Sequence, residues 1–282
     1  MTETVTESNK RPASMAPSDV AQVGVVAKYE VLKYLRSARL LGMVAVVALV
    51  ILLITALPPL LGDSYPDDAD AFANMYAGYV TLLVIVGATL FAGDAIVSEF
   101  QNRTGYLLFP KPVKRWVLLA GKFLASAGAM FLVLILYYAT VLVMGLVVTG
   151  DFSVLGVKSL LLAMLYSVAA MSVGYLISSV MKGATGAQVL TFSLFLFIFN
   201  IVTRVLTLGD VEPWFAVTFA GEVVVDITLD PYPVDRTASG EGPLAVSSFV
   251  PDVGLSIAVM AAYAAASLML TCFFFKRREM SS

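Results

Sequence analysis

The sequence contains no histidine and a single cysteine in 282 residues. Without histidine there is no serine–histidine hydrolase, no histidine-ligated haem and none of the usual zinc sites. One thiol, Cys272, makes neither an internal disulfide nor a thiolate cluster, and its place in an apolar run fits packing. A phosphate loop is missing as well. The one Gly-Lys pair, Gly121-Lys122, has neither the upstream glycine nor the following Ser or Thr of such a loop, so the chain does not hydrolyse a nucleotide by itself. Charge is scarce: Asp, Glu, Lys and Arg make up 13 % of the residues and hydrophobic side chains 59 %. A soluble domain carries about 25 % charged residues. With a mean hydropathy of +0.88, the composition is that of a membrane protein.

What is present follows from where the few charges lie. Six long intervals are free of them: Arg39 to Asp63, Asp70 to Asp94, Lys122 to Asp151, Lys158 to Lys182, Lys182 to Arg204, and Asp252 to Lys276. Each accommodates the roughly 20 apolar residues that a helix needs to cross the hydrocarbon core. The predicted spans are 40–61, 74–93, 118–148, 157–180, 184–206 and 252–275, which form a transmembrane domain over 40–276. Most basic residues then fall on one side, in the segments before the first span, between the second and third, between the fourth and fifth, and after the sixth. Only Lys158, Arg204 and Arg236 lie opposite, among acidic loops. The excess of Lys and Arg assigns both termini to the cytoplasm. The net charge of −2 hides this asymmetry.

Residues 1–19 lack an apolar stretch and read as a disordered cytoplasmic tail, not a cleaved signal peptide. Residues 20–39 have helical periodicity, with Ala27, Val31, Tyr34, Leu35 and Ala38 on one face and Lys33, Arg36 and Arg39 opposite. They predict an amphipathic helix lying on the inner membrane surface. Two connections are long enough to carry a function. The inner one, 94–115, reads as a helical extension of the second span, on which Glu99 and Arg103 are four residues apart and can pair. The outer one, 207–251, begins with a half-apolar stretch suited to a short helix or a re-entrant pair dipping into the outer leaflet and continues as a loop rich in Pro and Gly. Residues 277–282 form a second cytoplasmic tail. No span carries an ionisable residue in its middle, which lowers the rank of proton- or ion-coupled transport. Hydroxyl and amide groups within the spans, among them Thr140, Thr191 and Asn200, are the candidates to line a translocation path.

The run from Asp94 through Glu99, Arg103-Thr104-Gly105, Leu107-Leu108, Pro112-Val113 and Lys114-Arg115 to Gly121-Lys122 resembles the cytoplasmic loop of type-2 ABC exporter permeases. The amphipathic entry helix, the six spans and the large last outer loop are similar to that family too. The resemblance implies an all-α membrane fold and a permease subunit, not an enzyme, in the cytoplasmic membrane of a prokaryote. It also implies a separate cytoplasmic ATP-binding subunit that holds ATP and Mg, and a second permease subunit, identical or similar. Nothing points to nucleic acid or to a cofactor in this chain. By position, Glu99 and Arg103 would be polar contacts to the ATP-binding subunit and Phe100, Leu107 and Leu108 apolar ones. The sequence departs from the family where a denser acidic stretch is common, having only Asp94, Glu99 and Gln101 there. A secondary transporter or channel built around Asn200, Thr203 and Arg204, or a non-transporting membrane anchor, are the other readings of the same chain.

Overall fold

The computed structural model describes residues 18–101, 114–234, 236–239 and 246–277. Arg103, Leu107 and Leu108, and with them most of the inner loop, lie outside the described residues, as do most of both tails.

Among the described residues, six helices are long and apolar enough to cross a membrane: Ala38–Leu61, Ala69–Phe91, Arg115–Thr149, Val154–Val180, Ala184–Leu208 and Val253–Arg277. The chain is a multi-pass, predominantly helical membrane protein. Ahead of the spans lies α1 (Asp19–Leu35), started by Ser18, whose Oγ accepts the Ala21 N–H at 3.3 Å, with Asp19 in the first turn where the helix dipole favours a negative charge. The chain turns at Arg36, and Ser37 caps the first span, α2 (Ala38–Leu61).

The second span is two helices, α3 (Ala69–Ala77) and α4 (Val80–Phe91), broken at Gly78 and Tyr79. It begins five residues earlier than its hydropathy predicts and carries Asp70 in its first turn. That charge is tolerated because Ser153, the N-cap of the fourth span, donates to Asp70 Oδ1 at 2.6 Å. The fifth span contains a π-helical segment, Leu194–Ile198, inside an otherwise α-helical path.

The fourth span is the centre of the bundle. In its most apolar window 61 % of residues are buried, against 11 % for the fifth span, which lies at the edge. The third, sixth and second spans pack on the fourth, and so does a short outer helix, Val217–Asp226. That helix lies in the outer connection and is largely buried, with Glu222 exposed. Its C-terminal end is fixed by Asn74, whose amide donates to Thr228 Oγ1 at 2.8 Å and to the Val225 carbonyl at 3.3 Å.

Beyond it, the segment expected to be loop contains a two-stranded antiparallel pair, β1 (Arg236–Ser239) and β2 (Val246–Ser248). Inside the bundle, several tyrosine hydroxyls find partners on neighbouring helices, though that of the buried Tyr166 has none among the described residues. Tyr137 donates to the Tyr76 carbonyl at 2.8 Å, and Tyr138 pairs with Ser159 at 2.7 Å. Buried hydroxyls need such partners where no water competes.

The inner end of the bundle as a candidate functional site

The site is built around the end of the second span. Helix α4 stops at Phe91, residues 92–96 form successive turns, and a one-and-a-half-turn helix, α5 (Val97–Gln101), leads into the inner loop. An ending helix leaves carbonyls without partners, and a starting one leaves N–H groups. Side chains from elsewhere satisfy them here. Arg39 Nη1 donates to the Leu90 carbonyl at 3.2 Å and Tyr34 Oη to the Phe91 carbonyl at 3.0 Å. Ser178, in the fourth span, accepts the N–H groups of Ile96 and Val97 at 3.0 and 3.1 Å. Burial, with Glu30 and Asp94 nearby, holds the Tyr34 phenol above its ordinary range, so it remains a neutral donor.

The elbow is also tight. A Cβ on Gly93 would lie 2.7 Å from the Thr89 carbonyl oxygen and 3.1 Å from Gln188 Cα, so only glycine lets the fifth span come this close.

Two ionic clusters hold the elbow to its neighbours. Arg39, at the start of the first span, grips Asp94 with both terminal nitrogens, at 2.7 and 2.6 Å, and Asp94 is only 3 % exposed. This fork-on-fork pairing is the strongest geometry available to a carboxylate. The second cluster joins three elements. Lys122, in the first turns of the third span, donates to Glu30 Oε1 of α1 at 2.5 Å and to Glu99 Oε1 of α5 at 2.7 Å. Lys33 stands 3.5 Å from Glu30 and 3.9 Å from Glu99. Side-chain exposures of 11, 16 and 13 % for Lys122, Glu30 and Glu99 leave this ion triad largely, though not fully, shielded from solvent. A cavity of about 170 Å³ lies between the two clusters, bordered by residues of both together with Ser98 and Tyr175.

The same short stretch reaches the remaining spans. Gln101 Oε1 accepts the N–H of Ala184, the first residue of the fifth span, at 2.9 Å. Phe100 packs edge-on against Phe275 of the sixth span, with ring centroids 6.1 Å apart. Where the inner loop returns, Lys114 pairs with Asp19 of α1 at 2.6 Å, and Arg115 donates to the terminal carbonyls of the sixth span, Phe275 and Lys276, both at 2.9 Å. A basic residue at a helix C-terminus meets free carbonyls and the negative end of the dipole.

Of the sequence-derived candidates, Glu99 and Phe100 come together on α5, and both are engaged within this chain. The Glu99 carboxylate faces Lys122, and Phe100 faces Phe275. Thr140, Thr191 and Asn200 do not meet through hydrogen bonds to one another. Each bonds to the backbone of its own span: Thr140 to Leu136, the buried Thr191 to Ala187, and Asn200 to Phe195 and Leu196, both in the π-helical segment. The residues that sequence reasoning did not single out for the site are Glu30, Lys122, Gln101 and Ser178. Lys122 had a visible signal, as a lone cation about two turns into an apolar helix, where an uncompensated charge is costly.

Ser178 gives a direct check on the elbow. Ser178→Ala leaves two buried N–H groups without this acceptor, at a cost of about 1–3 kcal/mol for each that finds no other. Hydrogen exchange at Ile96 and Val97 should accelerate markedly in that variant. Unchanged exchange there would show that Ser178 does not hold the elbow.

A bundle of six membrane-crossing helices among the described residues, with an elbow at one end tied to all of them, defines a polytopic membrane protein whose connecting segment is mechanically continuous with its spans. The family model described as ABC-2 family transporter protein matches residues 25–213. The chain therefore belongs to the ABC-2 transporter family and is a membrane permease, not itself catalytic. The match runs from α1 through the fifth span and ends just before the outer helix. Comparison with curated proteins gave no match.

Proposed function

We propose that this chain is the membrane-spanning subunit of an ATP-driven exporter in a prokaryotic cytoplasmic membrane, with both termini on the cytoplasmic side. ATP and Mg are held by a separate cytoplasmic subunit, and a second permease subunit, identical or similar, completes the translocation path. The segment 94–115 receives that partner's motion. The observation that carries this reading is the ion triad, because Lys122 ties the only described helix of that segment to α1 and to the third span at once.

A helix held at several points moves as a rigid body, and a small displacement at one end becomes a tilt of the spans attached to it. Gln101 and Arg115 extend the linkage to the fifth and sixth spans. In this reading Glu99 and Phe100 transmit motion more than they dock. The docking surface then falls to the outward side of α5 and to the residues that follow, with Arg103, Leu107 and Leu108 among them. Export as the direction rests on the resemblance of the inner loop to type-2 exporter permeases.

The experiment is to purify the tagged chain from native membranes in mild detergent, weigh what accompanies it, and assay ATP hydrolysis. A soluble subunit carrying a phosphate loop, in stoichiometric amount and with ATPase activity, is the expected result. A chain that comes alone and inactive, under conditions that keep membrane complexes together, contradicts the proposal.

A further inference from the structure

Helix α1 has two faces with different business. The inward face packs on the third span, where Val26 lies against Gly121 so closely that a Cβ there would be 2.6 Å from the valine side chain. Farther along the same face, Glu30 meets Lys122 and Tyr34 meets the Phe91 carbonyl. The outward face is apolar yet uncovered: Val25, Tyr29, Leu32 and Leu35 are 54, 68, 39 and 52 % exposed. Lys28, Leu32 and Arg36 follow one another along it at four-residue spacing, so a basic residue stands one turn to either side of Leu32. Neither Lys28 nor Arg36 makes an ion pair among the described residues, whereas Lys33, Arg39, Lys114 and Lys122 all do.

We infer that this face is the seat of an anionic phospholipid of the inner leaflet, its phosphate between Lys28 and Arg36 and its acyl chains against Tyr29, Leu32 and Leu35. Only Arg36 and Ser37 separate α1 from the first span, which fixes the helix at the level of the inner headgroups. An exposed apolar face with embedded basic residues at that depth matches a lipid surface in both polarity and charge. Because Glu30 and Tyr34 sit on the opposite side of the same helix, a lipid that presses α1 down also holds the ion triad closed. The regulatory part of this inference rests on the proposed role of the triad. The lipid seat itself does not.

The test therefore uses no ATP. The full chain is placed in nanodiscs of phosphatidylcholine alone, or of phosphatidylcholine mixed with phosphatidylglycerol, and hydrogen exchange is followed over residues 19–35. Anionic lipid should slow exchange there by about tenfold or more, given two basic residues at the surface. The effect should disappear in the Lys28→Gln, Arg36→Gln double variant and persist in Lys158→Gln, on the opposite side. Equal exchange in both bilayers overturns the proposal. So does protection by soluble glycerophosphoglycerol in phosphatidylcholine, which would make the ligand a free phosphate ester, or protection that appears only on adding a soluble ATP-binding subunit, which would give the face to a protein.

Discussion

Replacing Lys122 by methionine is expected to destabilise the inner end of the bundle by about 3 kcal/mol and, under the proposed function, to abolish nucleotide-driven movement of the spans. Methionine keeps the length and most of the volume of the lysine stem and removes only the ammonium. Glu30 and Glu99 would then keep only the largely exposed Lys33, at 3.5 and 3.9 Å, in place of the Lys122 ammonium that they now contact at 2.5 and 2.7 Å. Removing one member of a buried ionic group leaves the others uncompensated and costs about 3–5 kcal/mol, whereas replacing the whole group by neutral residues is close to neutral. Adding Glu30→Gln and Glu99→Gln to Lys122→Met should therefore restore thermal stability in detergent. It should not restore the link between α5 and the third span. A triple variant with full activity would show that the triad serves stability alone.

The second large effect concerns the Arg39–Asp94 pair, which is asymmetric. Asp94 is 3 % exposed, while the Arg39 side chain is 42 % exposed. Arg39→Leu strands a buried carboxylate and also withdraws a donor from the Leu90 carbonyl, so a loss of about 3 kcal/mol is expected. Asp94→Asn keeps an acceptor for the guanidinium and leaves Arg39 free to reach water, so about 1 kcal/mol is expected. Melting temperatures should fall in the order wild type, Asp94→Asn, Arg39→Leu. The reverse order would mean that the arginine, not the aspartate, is the group that cannot stand alone.

How far the sequence discloses this architecture depends on the range of the interactions. The six spans are legible because a hydrocarbon core demands an unbroken apolar run, which composition alone reveals. The inner loop is legible as a segment because its residues stand together in the chain. Its long-range contacts are not. Helical spacing pairs Glu99 with Arg103, which lies outside the described residues, but it gives no hint of the contact of Glu99 with Lys122, 23 residues away, or of Lys122 with Glu30, 92 residues away. No local pattern encodes such contacts. The faces of α1 show the same limit. Periodicity puts Ala27, Val31, Tyr34, Leu35 and Ala38 on one side, but packing on the third span draws in Ala27 and Tyr34 and leaves Val31, Leu35 and Ala38 exposed. The helix is apolar on most of its circumference, so hydropathy alone cannot say which part meets protein and which meets lipid. The early start of the second span escaped notice because the Ser153 hydroxyl that accommodates Asp70 comes from a helix 83 residues on. The outer helix was partly visible, since a half-apolar stretch too short to span has few other places to go.

The central claim is that motion entering at α5 passes through Lys122 into the spans. The most direct measurement is a distance distribution between spin labels at Val147→Cys and Leu208→Cys, on the outer ends of the third and fifth spans, in a Cys272→Ser background. Both positions are well exposed, at 79 and 68 %. With the copurified ATP-binding subunit present, adding ATP and vanadate should shift the distribution in the otherwise native chain and leave it unmoved in Lys122→Met. A distribution indifferent to nucleotide in the native chain, or a shift that survives in Lys122→Met, would contradict the account.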